Sequence, residues 1–455
     1  MINLIKFKFG LATDQPTLEL EPTAITVFVG PNNSGKSKAI TEIAEKCRNP
    51  TTGSNFVIID DIKFNGLNKT KSEEFINDIE IKNNQIPLFN NLITVKAGKN
   101  NNIQRPKASI LDALENPNSS HKELFGQIYL GPKTMILNGS NRIKLVDEQN
   151  GGDMQKPPET SFQKLFRDDL LRKNFSNLVF KGLGNHAVID PTHLGKLRLR
   201  LSAVAPPSPE VERGLGETSI AFHAAAQSIS NASDGAKAFT GILAEILAGD
   251  PKILLMDEPE AFLHPALAFK LGYEIAQSMA GTDKHMFVST HSSQFLMGCI
   301  QSGIPINVVR LTYRHGIATA RLLPNDKIVQ IMRNPLLRST GVISALFYES
   351  VVVTEADPDR AFYQEINERL LQKQRGIPNC IFLNAQNKQT IPTIVTPLRD
   401  LGIPVAGIYD IDFIKCQRVE ATRLMDAAGI PPIVQRGLTT TRSELDKALP
   451  KANSS

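Results

Sequence analysis

The sequence predicts an α/β protein in which a large head with a long insert is followed by a smaller parallel α/β domain. Three observations predict this architecture. A glycine-rich segment near the N-terminus joins a buried strand to a helix, later apolar strands end in acidic residues, and strands and helices alternate again after about residue 348. At 455 residues the chain is long enough for two or three domains.

Composition and charge are those of an ordinary globular protein. Hydrophobic residues make up 41% and charged residues 21%, and the net charge of +5 permits a nucleic-acid patch without arguing for one. The four cysteines have no metal-ligand spacing, which predicts reduced thiols. The apolar runs are too short to span a bilayer, and the first residues lack the apolar block of a signal peptide. We therefore expect a cytoplasmic protein without a membrane segment.

The strongest local signal is the stretch TVFVGPNNSGKS, Thr26–Ser37, which fits the P-loop pattern of Gly30, four residues, Gly35, Lys36 and Ser37. Glycines let backbone N–H groups wrap nucleotide phosphates at a helix N-terminus. The lysine would reach the β- and γ-phosphates, and the serine hydroxyl would bind Mg²⁺. We predict ATP and Mg²⁺ as ligands, with these nucleotide-binding residues: Gly30, Asn33, Ser34, Gly35, Lys36 and Ser37.

The stretch PKILLMDEPEAFLHP supplies the second half of the predicted site. A buried strand delivers Asp257 and Glu258 to its carboxyl end, where α/β sheets bind ligands. We expect Asp257 to hold Mg²⁺, directly or through water, and Glu258 to act as the general base. His291 follows the next predicted strand, where it could sense the γ-phosphate. Two acids after a strand could also start a capped helix, but a P-loop in the same chain disfavours that alternative.

A third piece is the run SDGAK, in which Ser233 and Gly235 stand at the start of a helical pattern leading into the Asp257 strand. A serine and a glycine at a helix N-terminus can form a second anion site. Such caps are common, so the position of this one just before the Asp257 strand is what makes it informative.

Taken in order, the P-loop, SDGAK, LLMDEPEAFLHP and STHSS resemble the ABC-type ATPase heads of the SMC, Rad50 and OLD-family proteins. The run DEPEAFLHP is most similar to the OLD-like and AAA15/AAA21 branch. In such heads the signature serine of one protomer closes on the nucleotide held by the other. The resemblance implies a homodimer with two sandwiched ATP molecules, or a higher homo-oligomer, in which Ser233 and Gly235 contact the partner's nucleotide. It also implies that Leu263–Pro265 lies at the dimer seam, with His264 structural rather than catalytic.

The domain boundaries follow from these motifs. The head comprises residues 1–64 and 200–322, and residues 65–199 form an insert rich in Asn, Lys, Gly and Pro. Within the insert, Met135–Val146 predicts a hairpin around an Asn-Gly turn, and Ser161–Phe175 predicts one amphipathic helix. The insert is either a set of long surface loops or a partner-recognition and oligomerisation element.

After a helical connector at residues 323–347, residues 348–455 predict a small parallel α/β domain. Its first strand ends at Glu355 and its third at Asp410 and Asp412. Three carboxylates at one sheet edge can hold one or two divalent cations such as Mg²⁺ or Mn²⁺. Two such ions can activate water for phosphodiester cleavage.

This arrangement resembles a TOPRIM domain, and an ABC head with a TOPRIM domain resembles the OLD-family nucleases. Ala356 replaces the family's usual glycine, and TRSELDKALPKANSS, residues 441–455, ends with no clear further strand or helix. Lys415 and Lys447 are the candidates for the family's catalytic basic residue. The domain is therefore either an active nuclease or a TOPRIM-like fold retained for docking or dimerisation.

Two functions follow from these resemblances. One is a regulatory or scaffold ATPase of an anti-phage defence complex that holds a separate nuclease effector, similar to the ATPase subunits of PARIS-type systems. The alternative is a self-sufficient OLD-type DNA nuclease gated by ATP, and nucleic acid remains a candidate partner. The absence of sustained heptads disfavours an SMC-like DNA-bridging role, and the absence of a membrane segment disfavours transport.

Overall fold

The computed structural model describes residues 1–81, 92–98 and 101–448. The chain divides into two compact units. The first consists of Met1–Phe28 with Gly35–Leu322, and the second of Val29–Ser34 with Leu323–Ser455. None of the described helices is long and apolar enough to cross a membrane.

Strands and helices alternate in an irregular order through the first 323 residues. The strands are β1 (Ile2–Gly10), β2 (Thr17–Leu20), β3 (Ile25–Val29), β4 (Ile59–Phe64), β5 (Leu92–Lys96), β6 (Asn102–Pro106), β7 (Thr134–Leu137), β8 (Gln149–Asn150), β9 (His186–Asp190), β10 (Lys196–Ser202), β11 (Gln227–Ser228), β12 (Ile253–Asp257), β13 (His285–Ser289), β14 (Ile306–Arg314) and β15 (Ile317–Leu323). The helices are α1 (Lys36–Arg48), α2 (Lys69–Ile79), α3 (Lys107–Glu115), α4 (Lys122–Phe125), α5 (Gly139–Lys144), α6 (Ser161–Arg167), α7 (Asp169–Leu183), α8 (Pro209–Arg213), α9 (Glu217–Ala225), α10 (Asp234–Ala248), α11 (Pro265–Met279) and α12 (Ser293–Gln301).

A six-stranded sheet of order β15-β14-β3-β13-β12-β7 forms the centre of the head. The strands β3, β13, β12 and β7 run parallel, and their carboxyl ends meet at one edge. The sequences ITVFV and ILLM are buried throughout because helices cover both faces of such a sheet. Helix α1 packs against β12 and β13, which brings the predicted P-loop helix to the strands that carry the acidic residues.

A second sheet, of order β2-β1-β4, is antiparallel and shares the main hydrophobic core with the head. Its strand β1 alternates buried and accessible residues, as expected for a strand with one buried face. Phe7 of β1 meets Phe28 of β3 edge to face, with ring centroids 6.3 Å apart. Burying such aromatic surface contributes a few kcal/mol per side chain, at about 25 cal/mol per Å².

The predicted hairpin at Met135–Val146 is wrong. Strand β7 pairs in parallel with β12 at the edge of the six-stranded sheet, and α5 follows it directly. Asn138 accepts hydrogen bonds from the backbone N–H groups of Ser140 and Asn141, and the Asn141 side chain accepts one from Asn138 N. This reciprocal cap starts a helix where a two-residue turn was expected. Part of the predicted insert therefore belongs to the central sheet.

The single amphipathic helix predicted over Ser161–Phe175 is two helices, α6 and α7. The break falls at Asp168, whose side chain accepts a hydrogen bond from Leu171 N and so caps α7. These helices flank a small antiparallel sheet in which β10 pairs with β8, β9 and β11. A buried ion pair, Arg172 with Glu212, and a partly buried one, Arg200 with Asp190, connect elements of this region.

The second unit continues with strands β16 (Ser350–Thr354), β17 (Cys380–Asn384) and β18 (Val405–Gly407), and helices α13 (Asn325–Arg333), α14 (Pro335–Ser339), α15 (Asp357–Gln372), α16 (Ile391–Asp400), α17 (Arg418–Ala427) and α18 (Pro432–Ala448). Its sheet is parallel, as the alternation of strands and helices predicts, and has the order β17-β16-β18. The expectation of no further strand or helix in TRSELDKALPKANSS is wrong for residues 441–448, which belong to α18, and residues 449–455 lie outside the described part of the chain.

Candidate nucleotide-binding site and acidic sheet edge

The glycine-rich loop has the backbone that its sequence predicts. It joins β3 to α1, which begins at Lys36. Gly30, Asn33 and Gly35 have φ angles of 142°, 62° and 93°, a region that favours glycine and tolerates asparagine. A Cβ at Gly35 would lie 2.7 Å from the Cδ1 atom of Ile58. This position therefore requires glycine both for its conformation and for space.

Lys36 is buried at the start of α1, with 4% of its surface exposed, whereas Ser37 is exposed. Burial lowers the pKa of the Lys36 ammonium to about 8, and the nearby Glu258, Asp257 and Glu260 carboxylates oppose that shift. Desolvation makes this charge costly unless an anion accompanies it. The P-loop pattern places the β- and γ-phosphates of a nucleotide beside this lysine.

Asp257 ends β12, and its in-register neighbour on β13 is Ser289. The Ser289 hydroxyl donates a hydrogen bond to Asp257 Oδ1 and orients the carboxylate. Together with the exposed hydroxyl of Ser37, this carboxylate provides the hard oxygen donors that Mg²⁺ prefers. These two residues therefore fit the predicted metal of the nucleotide.

Arg142 is a site residue that sequence reasoning missed. It lies on α5 with 1% of its surface exposed, and its Nη1 donates to the carbonyl oxygens of Asp257, at 2.8 Å, and Glu258. The residues are more than a hundred positions apart in sequence, so no local pattern could reveal the contact. Arg142 fixes the backbone on which both acidic side chains stand.

The predicted catalytic residues, Glu258 and His291, are neighbours at the carboxyl edge of the sheet. Glu258 has a φ of 52° and donates its backbone N–H to Ser289 O at 2.8 Å. His291 Nε2 lies 3.5 Å from Glu258 Oε1, and the two side chains are 36% and 47% exposed. Burial and the nearby Lys36 lower the pKa of His291, which favours a neutral imidazole. A carboxylate beside a neutral imidazole is suited to polarising a water molecule.

The predicted signature segment caps a helix as expected. Ser233 is exposed, and its hydroxyl accepts a hydrogen bond from Ala236 N at 3.3 Å at the start of α10. A Cβ at Gly235 would lie 2.4 Å from the carbonyl oxygen of Phe262, so only glycine lets these backbones approach. His264 Nδ1 accepts from Ala266 N at 3.4 Å as the cap of α11, which agrees with a structural role.

The second unit carries an acidic edge of a different kind. Glu355 follows β16, and its Oε1 accepts a hydrogen bond from Asp410 N at 2.9 Å. Burial and the Asp410 and Asp412 carboxylates raise the pKa of Glu355. Asp412 forms a 2.7 Å ion pair with Lys388, a residue that sequence reasoning did not single out. The three predicted acids thus lie in one region, and a lysine of the same chain pairs with one of them.

Three further features bear on the predicted TOPRIM metal site. Within the described residues, no group of three His, Cys, Asp or Glu side chains is arranged to hold a metal ion. Ala356 N donates to Asp359 Oδ2 at 3.2 Å, so helix α15 starts immediately after Glu355. Lys415 is exposed in the 3-10 turn Ile411–Lys415, and Lys447 is exposed near the end of α18. A metal site formed by the three acids remains a prediction.

A family model matches the part of the chain that carries several of the predicted site residues. Residues 185–297 match the family described as "AAA domain, putative AbiEii toxin, Type IV TA system". The matched range contains Ser233, Asp257, Glu258 and His291. The prediction of an α/β P-loop ATPase head is confirmed, and the chain is an ATPase. No curated protein matches the chain in sequence.

Solved structures similar to the chain include SMC head domains. The SMC head bound to the C-winged helix domain of ScpA is 14% identical, covering 72% of this chain and 99% of its own, with a TM-score of 0.41. The SMC head domain from Thermotoga maritima is 14% identical over 71% of this chain and 99% of its own, with a TM-score of 0.37. An Smc head with an extended coiled coil from Pyrococcus furiosus, bound to the C-terminal domain of ScpA, is 13% identical. The match covers 73% of this chain and 98% of that chain, with a TM-score of 0.38.

Proposed function

We propose that this chain is an ABC-type ATPase that closes as an ATP-bound homodimer and serves as the regulatory or scaffold subunit of an anti-phage defence complex. A separate nuclease would be its effector. The observation that carries the proposal is the arrangement of Glu258 and His291, 3.5 Å apart at the sheet edge and both partly open to solvent. The signature cap at Ser233 is also exposed, so it is available to a partner's nucleotide.

Each residue has one task in this proposal. Lys36 and the N-terminus of α1 bind the β- and γ-phosphates, and Ser37 with Asp257 holds Mg²⁺. When bound, Mg²⁺ neutralises phosphate charge. Glu258 orients and deprotonates the attacking water, and His291 contacts the γ-phosphate. Ser233 and Gly235 offer the N-terminus of α10 to the nucleotide on the partner, so hydrolysis would reopen the dimer.

Dimer closure is tested by light scattering after size exclusion, with the wild-type chain and three variants. Glu258→Gln should bind ATP and remain dimeric because hydrolysis no longer releases the closed state. Lys36→Ala should remain at the nucleotide-free size because the phosphates lose their cation. Ser233→Arg should bind ATP but fail to dimerise, since its added bulk lies at the seam. If the Glu258→Gln variant has the same mass with ATP as without nucleotide, the proposed ATP-bound homodimer is contradicted.

The nuclease alternative rests on Glu355, Asp410 and Asp412. Two contacts favour the scaffold role, because Lys388 pairs with Asp412 and Asp410 N occupies Glu355 Oε1. The test is a DNA-cleavage assay with Mg²⁺ or Mn²⁺ on the purified chain, with and without co-expressed products of neighbouring genes. We expect cleavage only when a partner is present. Cleavage by the chain alone that disappears in Glu355→Ala and Asp410→Ala would instead establish the nuclease alternative.

A further inference from the structure

Glu260 is a half-buried acidic residue with no assigned role in the nucleotide site. It lies two residues after Glu258, and its Oε1 accepts hydrogen bonds from the Thr290 hydroxyl and from His291 N, each at 2.8 Å. The Thr290 hydroxyl in turn accepts a bond from Ser292 N at 3.0 Å. One carboxylate oxygen therefore fixes the backbone on both sides of His291.

These contacts connect the two loops that carry the predicted catalytic side chains. Glu258 and Glu260 belong to the turn after β12, whereas Thr290 and His291 belong to the turn after β13. Glu258 N is already bonded to Ser289 O, so the first loop is anchored at the strand end. Glu260 adds a second connection beyond it. Glu260 therefore connects the loop that carries Glu258 to the loop that carries His291, whose side chains lie 3.5 Å apart.

The second carboxylate oxygen of Glu260 is in an unusual environment for a residue that only links two loops. Glu260 Oε2 is buried and lacks a hydrogen-bond partner among the described residues. Burial raises the pKa of Glu260, with Glu258 adding to the shift. An acid that served stability alone would be expected to pair both oxygens, since an unpaired buried polar atom costs about 1–3 kcal/mol. Costs of this kind persist at sites where geometry serves function.

We propose that Glu260 is a positioning residue for ATP hydrolysis, which holds His291 against Glu258 through the acceptor oxygen Oε1. The inference rests on the catalytic roles proposed above for those two residues. It predicts that the acceptor oxygen is required and that the negative charge is not. It also predicts that Glu260 acts through His291, so that its loss has no effect where the histidine is already absent.

The test measures steady-state ATPase kinetics and nucleotide binding for Glu260→Ala and Glu260→Gln. The alanine variant should lower kcat about 10- to 100-fold, the usual range for residues that orient a catalytic group, while KM changes by less than about threefold. The glutamine variant keeps an acceptor oxygen at the same place and should stay within about threefold of wild type. Glu73→Ala, an exposed acid on α2, serves as the matched control and should be unchanged.

The second arm is a double-mutant cycle. The double variant Glu260→Ala with His291→Ala should be no slower than His291→Ala alone, because coupled residues give non-additive losses. The inference would be overturned if the kcat losses of the two single variants multiplied in the double variant. It would also be overturned if Glu260→Gln were as slow as Glu260→Ala. If the alanine variant fails to fold, Glu260→Met provides a buried side chain of similar length without an acceptor and should show the same loss of kcat.

Different results would overturn the proposed role of His291 and the positioning role of Glu260. If His291→Ala keeps the wild-type kcat, the proposed role of the histidine is wrong and the positioning role of Glu260 is overturned with it. If His291→Ala is slow and Glu260→Ala is not, only the positioning role is overturned. Binding of an ATP analogue, measured by calorimetry, should be retained in every variant, which separates these outcomes from loss of the nucleotide site.

Discussion

Two sheet edges of this protein carry acids after parallel strands, yet their surroundings differ. At the end of β12, Asp257 and Glu258 face a buried lysine, Lys36, and buried groups fix their backbones. At the ends of β16 and β18, Glu355 is half-buried, as Asp257 and Glu258 are, whereas Asp410 and Asp412 are exposed. Burial strengthens electrostatic interactions, so a phosphate beside the buried Lys36 is held more strongly than an ion beside the exposed Asp410 and Asp412.

The comparison shows that acids at a strand end do not by themselves define a reactive site. The placement of acids can be inferred from a strand followed by Asp or Glu. Their chemistry also depends on burial and on the buried groups that hold them, such as Arg142 and Ser289.

Exchanging an acid for its amide should affect ATP turnover very differently at the two sheet edges. Glu258→Gln should lower ATP turnover by about 10²- to 10⁴-fold, the usual contribution of a general base. Glu355→Gln makes the same chemical change at the other edge and should leave turnover within about twofold. A phosphate-release assay at saturating ATP measures both. Equal losses would mean that the general base has been assigned to the wrong edge.

Removing the arginine behind the nucleotide edge should affect folding more than any change at the other edge. Arg142→Ala leaves the carbonyls of Asp257 and Glu258 without their donor and creates a buried void. We expect a loss of about 2–4 kcal/mol in the free energy of unfolding. Chemical denaturation monitored by circular dichroism measures the loss. The exposed Arg369→Ala, on α15, is the control and should change stability by less than about 0.5 kcal/mol.

Acidification should lower the free energy of unfolding of the head because His285, at the start of β13, becomes protonated. Burial lowers the pKa of this imidazole to about 4. The unfolded chain, with a histidine pKa near 6.5, binds more protons than the folded chain, so this contribution to stability is complete above about pH 6.5. It is lost as pH falls from about 6.5 to about 4, at a cost of about 2–3 kcal/mol.

The histidine contribution is isolated by comparing His285→Gln with wild type. Unfolding free energies measured between pH 7 and pH 4 should fall less steeply in the variant, because glutamine does not titrate. His315→Asn, at an exposed position in the turn between β14 and β15, is the control and its curve should run parallel to the wild-type curve. Parallel curves for His285→Gln and wild type would contradict the prediction.

The smallest effect is expected at the ion pair of the second edge. Asp412→Asn removes the charge that Lys388 meets at 2.7 Å. Because the Asp412 carboxylate is exposed, the free energy of unfolding should fall by no more than about 1 kcal/mol. Repeating the measurement in high salt should reduce the difference between variant and wild type further. A loss of several kcal/mol would show that this edge is as tightly organised as the nucleotide edge.

The sequence predicted best what a few consecutive residues determine. The buried strands β3, β12 and β13, the loop before Lys36 and the cap at Ser233 each combine an apolar run or a helix start with the right flanking residues. The alternation of strands and helices also predicted the parallel pairing around β16. These features depend on local periodicity, which can be read from one sequence.

The failures have physical causes of two kinds. At Asn138 and Asp168, side-chain caps start helices where apolar periodicity predicted a turn or a continuous helix. Arg142 and Lys388 act through partners far away in sequence, so no nearby pattern marks them. Glu260 stands inside a recognised motif, but its importance depends on contacts with the next strand's loop. Only the folded arrangement brings such residues together.

The order of the central sheet has a consequence for synthesis on the ribosome. Strand β3 lies between β13 and β14, so its neighbours are made about 260 residues after it. At about 5–20 residues per second, the apolar run ITVFV is translated roughly 13–50 s before either neighbour exists. During that interval an unpaired, aggregation-prone strand is exposed. Cellular chaperones are therefore expected to matter most for the first half of this nascent chain, before the nucleotide site can form.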